Sequence, residues 1–283
     1  MRRREFVEAF GATFAGVALL PHSARAAGAR KDYLWRVGLE LYSVRNAMKA
    51  DPERTLAAVR AMGYNDVELL WSFGNFGRTP QQVRETLKKE GLKAPSGHIA
   101  PEALLKDWEK SLDAAKLVGH QYLIVPSLPD ETKTSIDAWH RWADHFNAAG
   151  DIARRAGIWL AFHNEPEHVK VIRGTVPYEE FIERTDPAKV RLQLDFGNME
   201  VGGHSAMEYL RKYRNRYYSF HVKDVVKDSS HDTELGTGRL DLRELLAAIP
   251  DVQKKPCYVE QEGPKDELAS MKLNYNYLKK LEF

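Results

Sequence analysis

Short β-rich runs alternate with longer stretches of helical periodicity over most of the chain. In one such run, Leu192 and Leu194 share an apolar face while Asp195 lies on the opposite face, because residues two apart in a strand point the same way. A later run around His221 repeats this arrangement. Strand patterns that alternate with helical patterns are typical of a parallel sheet with crossover helices.

Eight such strand and helix units follow one another at a steady spacing. The predicted strands are Trp35–Tyr42, Asp66–Leu70, Lys93–His98, Tyr122–Pro126, Ile158–Glu165, Arg191–Asn198, Tyr218–Asp224 and Cys257–Glu262. The predicted helices, several of which start near proline or end before glycine, are Pro52–Met62, Pro80–Glu90, Pro101–Leu117, Ser135–Arg155, Pro177–Glu183, Ser205–Tyr213, Asp241–Ile249 and Pro264–Leu281.

The number of these units predicts the fold class. Eight βα units in about 250 residues are typical of a (β/α)8 TIM barrel, an α/β fold that forms a single domain. A doubly wound open sheet is the alternative. No Gly-x-Gly-x-x-Gly motif follows the predicted first strand, which weakens a dinucleotide-binding interpretation of that alternative.

Residues 1–26 have the layout of an export signal. Three arginines follow Met1, an apolar stretch of 12 residues covers Ala9–Leu20, and Ala24–Ala26 has the small-x-small form of a cleavage site. The pair Arg3 and Arg4 resembles a twin-arginine signal. We therefore predict a signal peptide over 1–26, a mature domain over 27–283, export by the twin-arginine machinery, and a periplasmic or other extracytoplasmic location. An ordinary Sec signal or a short membrane anchor is the alternative.

Charge and cysteine content place only modest limits on the function and on the source of stability. Cleavage would remove four arginines and two glutamates from 42 basic and 40 acidic residues, so the mature chain is formally neutral. A neutral chain gives no general reason to expect nucleic-acid binding. The single cysteine, Cys257, cannot form an intramolecular disulfide, so stability in an oxidising compartment must come from the core.

Ionisable residues accumulate at the carboxyl ends of the predicted strands, where a TIM barrel has its active site. They are Glu40, Glu68, His98, His163, Glu165, Asp195, His221, Lys223, Glu260 and Glu262. Each one could instead be a buried group bonded to a neighbouring strand. Ten such groups at one end of the barrel are harder to explain as structural residues, because burying unpaired charge is unfavourable. A bound metal ion would neutralise that charge. Asp195 and His221, at the ends of adjacent strands, suit one divalent cation.

These residues also carry a resemblance to a known family. Gly38–Arg45, His163-Asn164, Leu194-Asp195, His221–Asp224, Gly236-Thr-Gly238 and Val259-Glu260 resemble motifs of the sugar phosphate isomerase/epimerase family with the xylose-isomerase-like barrel, in its order and spacing. The resemblance covers nearly all of the mature chain. It implies one divalent ion, Mn²⁺, Co²⁺, Zn²⁺ or Mg²⁺, held by a strand-five carboxylate together with Asp195, His221 and Glu260.

The chain departs from that family at strand five. Where many members carry a glutamate, this sequence has His163-Asn164-Glu165. Either His163 binds the metal, or Glu165 on the same face replaces it; we favour His163, because Pro166 is expected to end the strand and lift Glu165 toward the rim. Family epimerases use two metal-side glutamates, so the loss of one weakens a simple epimerisation mechanism.

The resemblance leads to a functional hypothesis. We expect an exported enzyme that removes a proton α to a keto-sugar carbonyl through a metal-stabilised enediolate, giving isomerisation or epimerisation. Glu260 is the predicted base, and Lys223, His98 and Glu165 are the other predicted catalytic residues. A lyase or dehydratase that performs β-elimination on a keto-sugar or 3-keto-glycoside is the alternative. The predicted substrate-binding residues are Glu40, Tyr42, Glu68, Trp71 and Glu262.

Two other classes share this kind of barrel. A nuclease of the endonuclease IV type resembles this barrel but has a three-metal site that needs additional histidines. A neutral chain also lacks the electropositive face that phosphate backbones require. A non-catalytic sugar-binding barrel would keep aromatic residues such as Trp35, Tyr42, Trp71 and Phe73 and could dispense with metal. A small-molecule carbohydrate is the expected partner in either sugar-related class. The sequence does not indicate an oligomeric state.

Overall fold

Eight parallel strands close into a barrel in the computed structural model, which describes residues 34–283. The predicted (β/α)8 fold is therefore confirmed. The barrel strands are β1 Gly38–Glu40, β2 Asp66–Leu70, β3 Lys93–His98, β4 Tyr122–Val125, β5 Trp159–His163, β6 Val190–Asp195, β7 Tyr217–Val222 and β10 Cys257–Val259. Their order around the barrel follows the chain, and β10 closes it between β7 and β1. A short antiparallel ribbon, β8 Asp224–Val225 and β9 Asp232–Thr233, follows β7.

Helices connect successive strands and form the outer layer. They are α1 Arg45–Ala50, α2 Pro52–Met62, α3 Pro80–Glu90, α4 Trp108–Val118, α5 Ile136–Arg155, α6 Pro177–Arg184, α7 Phe196–Val201, α8 Ala206–Lys212, α9 Leu242–Ala248 and α10 Glu267–Lys280. Short 3-10 helical segments cover Leu41–Val44, Trp71–Gly77, Pro101–Leu104, Asp130–Lys133, Pro166–Val169 and Val252–Lys254. Within residues 34–283, none of the helices is both long and apolar enough to cross a membrane.

The strand faces alternate as the sequence predicts. On the outer face, Phe162 packs against Phe146 of α5 at a ring-centroid distance of 5.5 Å and against Phe181 of α6 at 4.5 Å. On the inner face, Asp195 of β6 is in register with His221 of β7, and both side chains are fully buried. The barrel interior therefore has an ionisable layer at the carboxyl ends of its strands.

Several strands end earlier than predicted. Strand β5 ends at His163, because the 3-10 segment that begins at Pro166 turns the chain away, so Glu165 is not part of the strand. Strand β6 ends at Asp195, whose side chain accepts the Asn198 N–H at 2.8 Å and caps α7. Strands β1 and β10 are also shorter than predicted.

The predicted helix over Pro101–Leu117 is divided. A 3-10 segment covers Pro101–Leu104, and α4 begins only at Trp108. The division falls at Asp107, whose backbone is left-handed with φ of 58° and so cannot continue a right-handed helix. The predicted signal peptide over 1–26 lies outside the described residues, as does the start of the mature domain over 27–33.

Candidate metal centre and active site

The structure brings together the four residues predicted to bind metal. His163, Asp195, His221 and Glu260 stand at or just beyond the carboxyl ends of β5, β6, β7 and β10. One ligand atom from each lies within 4.8 Å of the others, and all four residues are buried. One imidazole pair and two carboxylates form a mixed nitrogen and oxygen set that suits Mn²⁺, Co²⁺ or Zn²⁺.

Unpartnered atoms in this cluster provide a test of that fit. Neither ring nitrogen of His163 has a hydrogen-bond partner among the described residues. His163 Nε2 lies 3.6 Å from Asp195 Oδ2, which is too far for a hydrogen bond. Buried polar atoms normally have a partner, so these atoms are arranged as metal ligands would be. Burial lowers the pKa of His163 to about 4, which keeps the imidazole in the neutral form that binds metal.

Glu165, the alternative strand-five ligand, lies beside the cluster rather than within it. Its Oε1 is 3.6 Å from His163 Nδ1, and its Oε2 accepts a hydrogen bond from Asn198 Nδ2 at 3.0 Å. Its side chain is 27% exposed, whereas that of His163 is 2% exposed. The early end of β5 explains this position, because Glu165 already belongs to the turn that precedes Pro166.

A buried carboxylate holds His221 from below. His221 Nε2 lies 2.5 Å from Glu68 Oε2, and His221 Nδ1 lies 2.6 Å from Glu260 Oε2. Burial raises the pKa of Glu68, but His98 and His221 outweigh burial and hold that pKa well below its usual range. Glu68 also accepts hydrogen bonds from Ser96 Oγ at 2.5 Å and Gln193 Nε2 at 3.0 Å. It was predicted to bind substrate, and the structure places it beneath the cluster, fully buried.

Lys223 lies on the other side of the cluster. Its Nζ is 3.1 Å from Asp195 Oδ2, 3.3 Å from Glu260 Oε2 and 2.8 Å from Glu262 Oε1. Burial lowers the pKa of Lys223, but these three carboxylates outweigh burial and hold that pKa well above its usual range. Lys223 is therefore a charged ammonium that balances the carboxylates.

A cavity of about 260 Å³ opens above the cluster. Its walls include Glu40, Tyr42, His98, Glu165 and Glu262, all predicted catalytic or substrate-binding residues, together with the ligand candidates His163 and Glu260.

Trp71 departs from the prediction that it binds substrate in this cavity. Its indole packs over Gly97 and donates a hydrogen bond from Nε1 to His120 Nε2 at 2.8 Å, on the side of α4. It lines a separate cavity with Ile99 and Leu123. The 3-10 turn that begins at Trp71 directs the side chain outward rather than over the barrel mouth.

Two polar residues near the site were not among the predicted site residues. Asn198 joins Glu165 to Lys223, since its Oδ1 accepts from Lys223 Nζ at 2.9 Å. Asp232, on β9, accepts the Glu262 N–H at 2.7 Å and lies 4.0 Å from Lys223 Nζ. Burial raises the pKa of Asp232 to about 7. Asn198 lies three residues after Asp195, at the end of the predicted sixth strand, whereas no local signal marks Asp232.

The Gly236-Thr-Gly238 motif has a structural role. Asp224 Oδ2 accepts the N–H groups of Gly236 at 2.9 Å and Gly238 at 3.0 Å, and its Oδ1 accepts those of Val225 and Leu240. A Cβ atom on Gly238 would lie 2.1 Å from Asp224 Oδ1. The motif therefore lets the loop fold around Asp224.

The carboxyl groups facing the cavity have different electrostatic surroundings. Burial raises the pKa of Glu260, but Lys223 and His221 outweigh it and hold the pKa below its usual range. Burial raises the pKa of Glu165 well above its usual range, and Glu260 and Glu262 add to this against Lys223. Burial likewise raises the pKa of Glu40. Carboxyl groups whose pKa values are pushed apart in one site can divide the roles of base and acid.

Known proteins resemble this chain in sequence. An inosose dehydratase from Lacticaseibacillus casei is 22% identical over 238 residues, which cover 70% of this chain and 78% of that protein. An inosose dehydratase from Clostridium perfringens is 27% identical over 130 residues, covering 46% of this chain and 40% of that protein. The matched region thus spans less than half of the second relative.

Solved structures resemble the barrel as a whole. A sugar phosphate isomerase/epimerase from Parabacteroides distasonis has a TM-score of 0.74 and 24% identity, and the match covers 91% of this chain and 97% of that one. An IolI protein with a bound zinc atom has a TM-score of 0.69 and 14% identity, with coverage of 86% and 96%. At these identities the similarity shows the fold alone.

The sequence pattern of one family extends over most of the chain. The pattern of the xylose isomerase-like TIM barrel matches residues 56–281, which include His163, Asp195, His221 and Glu260. The closed barrel of eight parallel strands within residues 34–283 agrees with that description. The chain therefore belongs to the xylose isomerase-like TIM barrel family.

Proposed function

We propose that the protein is a metal-dependent lyase that removes a proton next to the carbonyl of a keto-sugar or 3-keto-glycoside and expels an oxygen substituent from the β-carbon. The observation that carries this proposal is the pairing in one cluster of a single carboxylate at the base position, Glu260, with an imidazole, His163, where family members often have a second glutamate. Epimerisation needs a base on each face of the substrate, whereas elimination needs one base and one acid.

The names of the relatives also support elimination over epimerisation. Dehydration is an elimination in which the expelled substituent leaves as water, and the sequence relatives are named inosose dehydratases. Structural neighbours named as isomerases and epimerases keep isomerisation as the second candidate. Both reactions begin with the same proton removal. The sequence-based hypothesis favoured isomerisation or epimerisation, whereas we now favour elimination.

His163, Asp195, His221 and Glu260 would hold the divalent ion. The two ring nitrogens of His163, which have no hydrogen-bond partner among the described residues, support this assignment. A bound Mn²⁺, Co²⁺, Zn²⁺ or Mg²⁺ supplies Lewis-acid polarisation of the substrate carbonyl, which stabilises negative charge as the neighbouring proton leaves. Two imidazoles in the set favour Mn²⁺, Co²⁺ or Zn²⁺ over Mg²⁺.

Glu260 is the proposed base. Its Oε2 lies 2.6 Å from His221 Nδ1 and 3.3 Å from Lys223 Nζ, and both neighbours stabilise the ionised carboxylate. It also lines the cavity, so a substrate bound there would contact it. The carboxylate accepts the proton from the carbon next to the carbonyl.

Glu165 is the proposed acid. It lies at the cavity wall beside His163, and neighbouring Glu260 and Glu262 disfavour its ionised form. In the elimination, the C–H and C–O bonds break and a C=C bond forms. Glu260 takes the proton from carbon, and Glu165 gives a proton to the departing oxygen, so the step needs no oxidant or reductant.

The test follows cleavage of the C–H bond and cleavage of the C–O bond separately. The purified protein is incubated in D₂O with an inosose, with ketoses and with 3-keto-glycosides, in the presence of Mn²⁺, Co²⁺, Zn²⁺ or Mg²⁺. An unsaturated product with release of water or aglycone is expected, and Glu260→Gln should abolish it. Glu183→Gln, at an exposed position of α6, is the matched control and should retain activity.

The other outcomes discriminate among the alternatives. A saturated keto-sugar isomer as the only product would replace the lyase with an isomerase. Inversion of the carbon next to the carbonyl, with deuterium incorporated there and no elimination product, would restore the epimerase. Substrate binding without any exchange or turnover, in protein loaded with each ion, would indicate a sugar-binding barrel.

A further inference from the structure

Two chemically different sets of residues line the cavity above the cluster. One set is ionisable, and the other is uncharged. The uncharged set consists of Tyr42, Leu70, Ser72, Phe73, Pro126 and Ser127. No lysine or arginine is among the described residues that line the cavity. A phosphorylated or otherwise anionic group would therefore meet four glutamates and no lysine or arginine side chain on these walls.

Phe73 is the exposed aromatic residue of the uncharged set. Its side chain is 52% exposed, so part of the ring is open to a ligand. Its ring lies 5.7 Å from the ring of Tyr42, and the two rings are inclined at 52°. Tyr42 also contacts Arg45, whose guanidinium lies 4.2 Å from the ring centroid and whose Nη1 donates to the Tyr42 carbonyl at 2.9 Å. Tyr42 and Phe73 thus form a braced aromatic wall.

The loop that carries Phe73 has an unusual backbone. Gly74, Asn75, Phe76 and Gly77 follow one another with φ values of 58°, 45°, 57° and 77°. For Phe76 this left-handed conformation is unfavourable by about 1–2 kcal/mol, whereas asparagine and glycine adopt it more readily. Such conformations persist where surrounding contacts impose them, and they concentrate at binding sites.

Contacts at the base of the loop impose this conformation. Asn75 is buried, and its carbonyl accepts the Arg78 N–H at 3.2 Å. Arg78 makes two hydrogen bonds of 2.6 Å to Glu53 of α2, and Thr79 caps α3. The loop is therefore anchored at its carboxyl end while Phe73 projects at the cavity mouth.

We propose that Tyr42 and Phe73 form a subsite for the second ring of the substrate, so that the substrate is an uncharged keto-glycoside whose aglycone is a sugar or an aromatic group. This inference rests on the proposed function. The cavity, at about 260 Å³, is smaller than the roughly 300–1,000 Å³ typical of sites for larger ligands. A single sugar ring over the cluster would occupy most of it, and the aglycone would extend to the exposed face of Phe73.

The proposed chemistry gives this subsite a role in the reaction. In a 3-keto-glycoside, the proton leaves C2 and the aglycone oxygen leaves C1, so the C2–H and C1–O bonds break and a C1=C2 bond forms. The released aglycone carries the proton supplied by Glu165. A stacked aglycone would thus be held on the leaving-group side, where its orientation affects cleavage.

The test compares two uncharged probes, methyl and phenyl 3-keto-β-D-glucopyranoside. Their binding is measured by calorimetry in a metal-loaded Glu165→Gln background, which removes the proposed acid but keeps all four proposed metal ligands, so that the result does not depend on turnover. We expect the phenyl probe to bind about tenfold more tightly than the methyl probe, because aromatic stacking adds to burial of the ring. Phe73→Ala should remove most of this difference, and Phe73→Tyr should retain it.

Leu273→Ala is the matched control. Leu273 is 58% exposed on α10 and should leave the difference between the probes unchanged. Equal affinities for the two probes, no binding of either one, or an undiminished difference in Phe73→Ala would overturn the aglycone subsite. Release of aglycone or water by the wild-type protein is measured separately, so a failed subsite and a failed lyase proposal give different results.

Discussion

His163 Nε2 and Asp195 Oδ2 lie 3.6 Å apart in the barrel interior, and neither ring nitrogen of His163 has a hydrogen-bond partner among the described residues. The two side chains come from adjacent strands, β5 and β6. A buried donor or acceptor without a partner destabilises a folded protein by about 1–3 kcal/mol. The unpartnered imidazole of His163, which faces Asp195 and lies beside His221 and Glu260, is best explained by a shared ion.

We expect the native protein to bind about one divalent ion per chain. His163→Ala should lower the affinity by more than the roughly 10–100-fold that loss of an outer-shell partner produces. Metal analysis of protein purified without chelator checks the stoichiometry, and competition with a chelator checks the affinity. His140→Ala, on the partly exposed face of α5, serves as the control. A chain without stoichiometric metal, and without thermal stabilisation by added ions, would contradict the site.

Glu68 should act on the metal site through His221. Because Glu68 Oε2 lies 2.5 Å from His221 Nε2, it favours a proton on that nitrogen and leaves Nδ1 to face Glu260 and Asp195. Glu68→Gln is expected to weaken metal affinity about 10–100-fold while the far-ultraviolet circular dichroism spectrum is retained. Unchanged affinity in this variant would show that Glu68 is only a packing residue.

Stability in the presence of a chelator should fall as the pH is lowered from 6.5 to 4. Burial lowers the pKa of His120 to about 4 and that of His168 to about 3, so between these values and 6.5 the unfolded chain binds protons that the folded chain does not. Each such histidine stabilises the fold fully above pH 6.5, and about 3 kcal/mol is lost for His120 as the pH falls to 4.

Urea unfolding at several pH values measures this dependence. His120→Gln should be less stable at pH 7, because the hydrogen bonds to Trp71 and Ala94 change, but its stability should vary less between pH 6.5 and 4. His140→Gln should keep the wild-type slope. An identical slope in His120→Gln would show that His120 does not stay neutral in the fold.

We propose that the protein is exported by the twin-arginine route, on the basis of residues 1–26, which lie outside the described part of the chain. The mature N-terminus should be at or near Ala27, and an Arg3→Lys, Arg4→Lys double variant should remain unexported. Cell fractionation with N-terminal sequencing checks both points. Continued export of the double variant would indicate the Sec route.

The sequence by itself determined the barrel and the positions of four ligand candidates. Periodicity of two within strands and of 3.6 within helices is local information, so the strand faces could be assigned before any contact was known. In a parallel barrel all strands end on one side. That rule was sufficient to bring Asp195 and His221 together, and the family resemblance added His163 and Glu260.

Only the tertiary structure decided the places of the remaining residues. A turn after β5 placed Glu165 beside the four ligand candidates rather than among them, and the turn after β2 directed Trp71 away from the cavity. Asp232 and Phe73 reached the site on loops whose paths depend on distant contacts, such as the four N–H groups gathered by Asp224. Side chains in loops carry no periodic signal, and their neighbours are set by the closure of the barrel rather than by adjacent sequence.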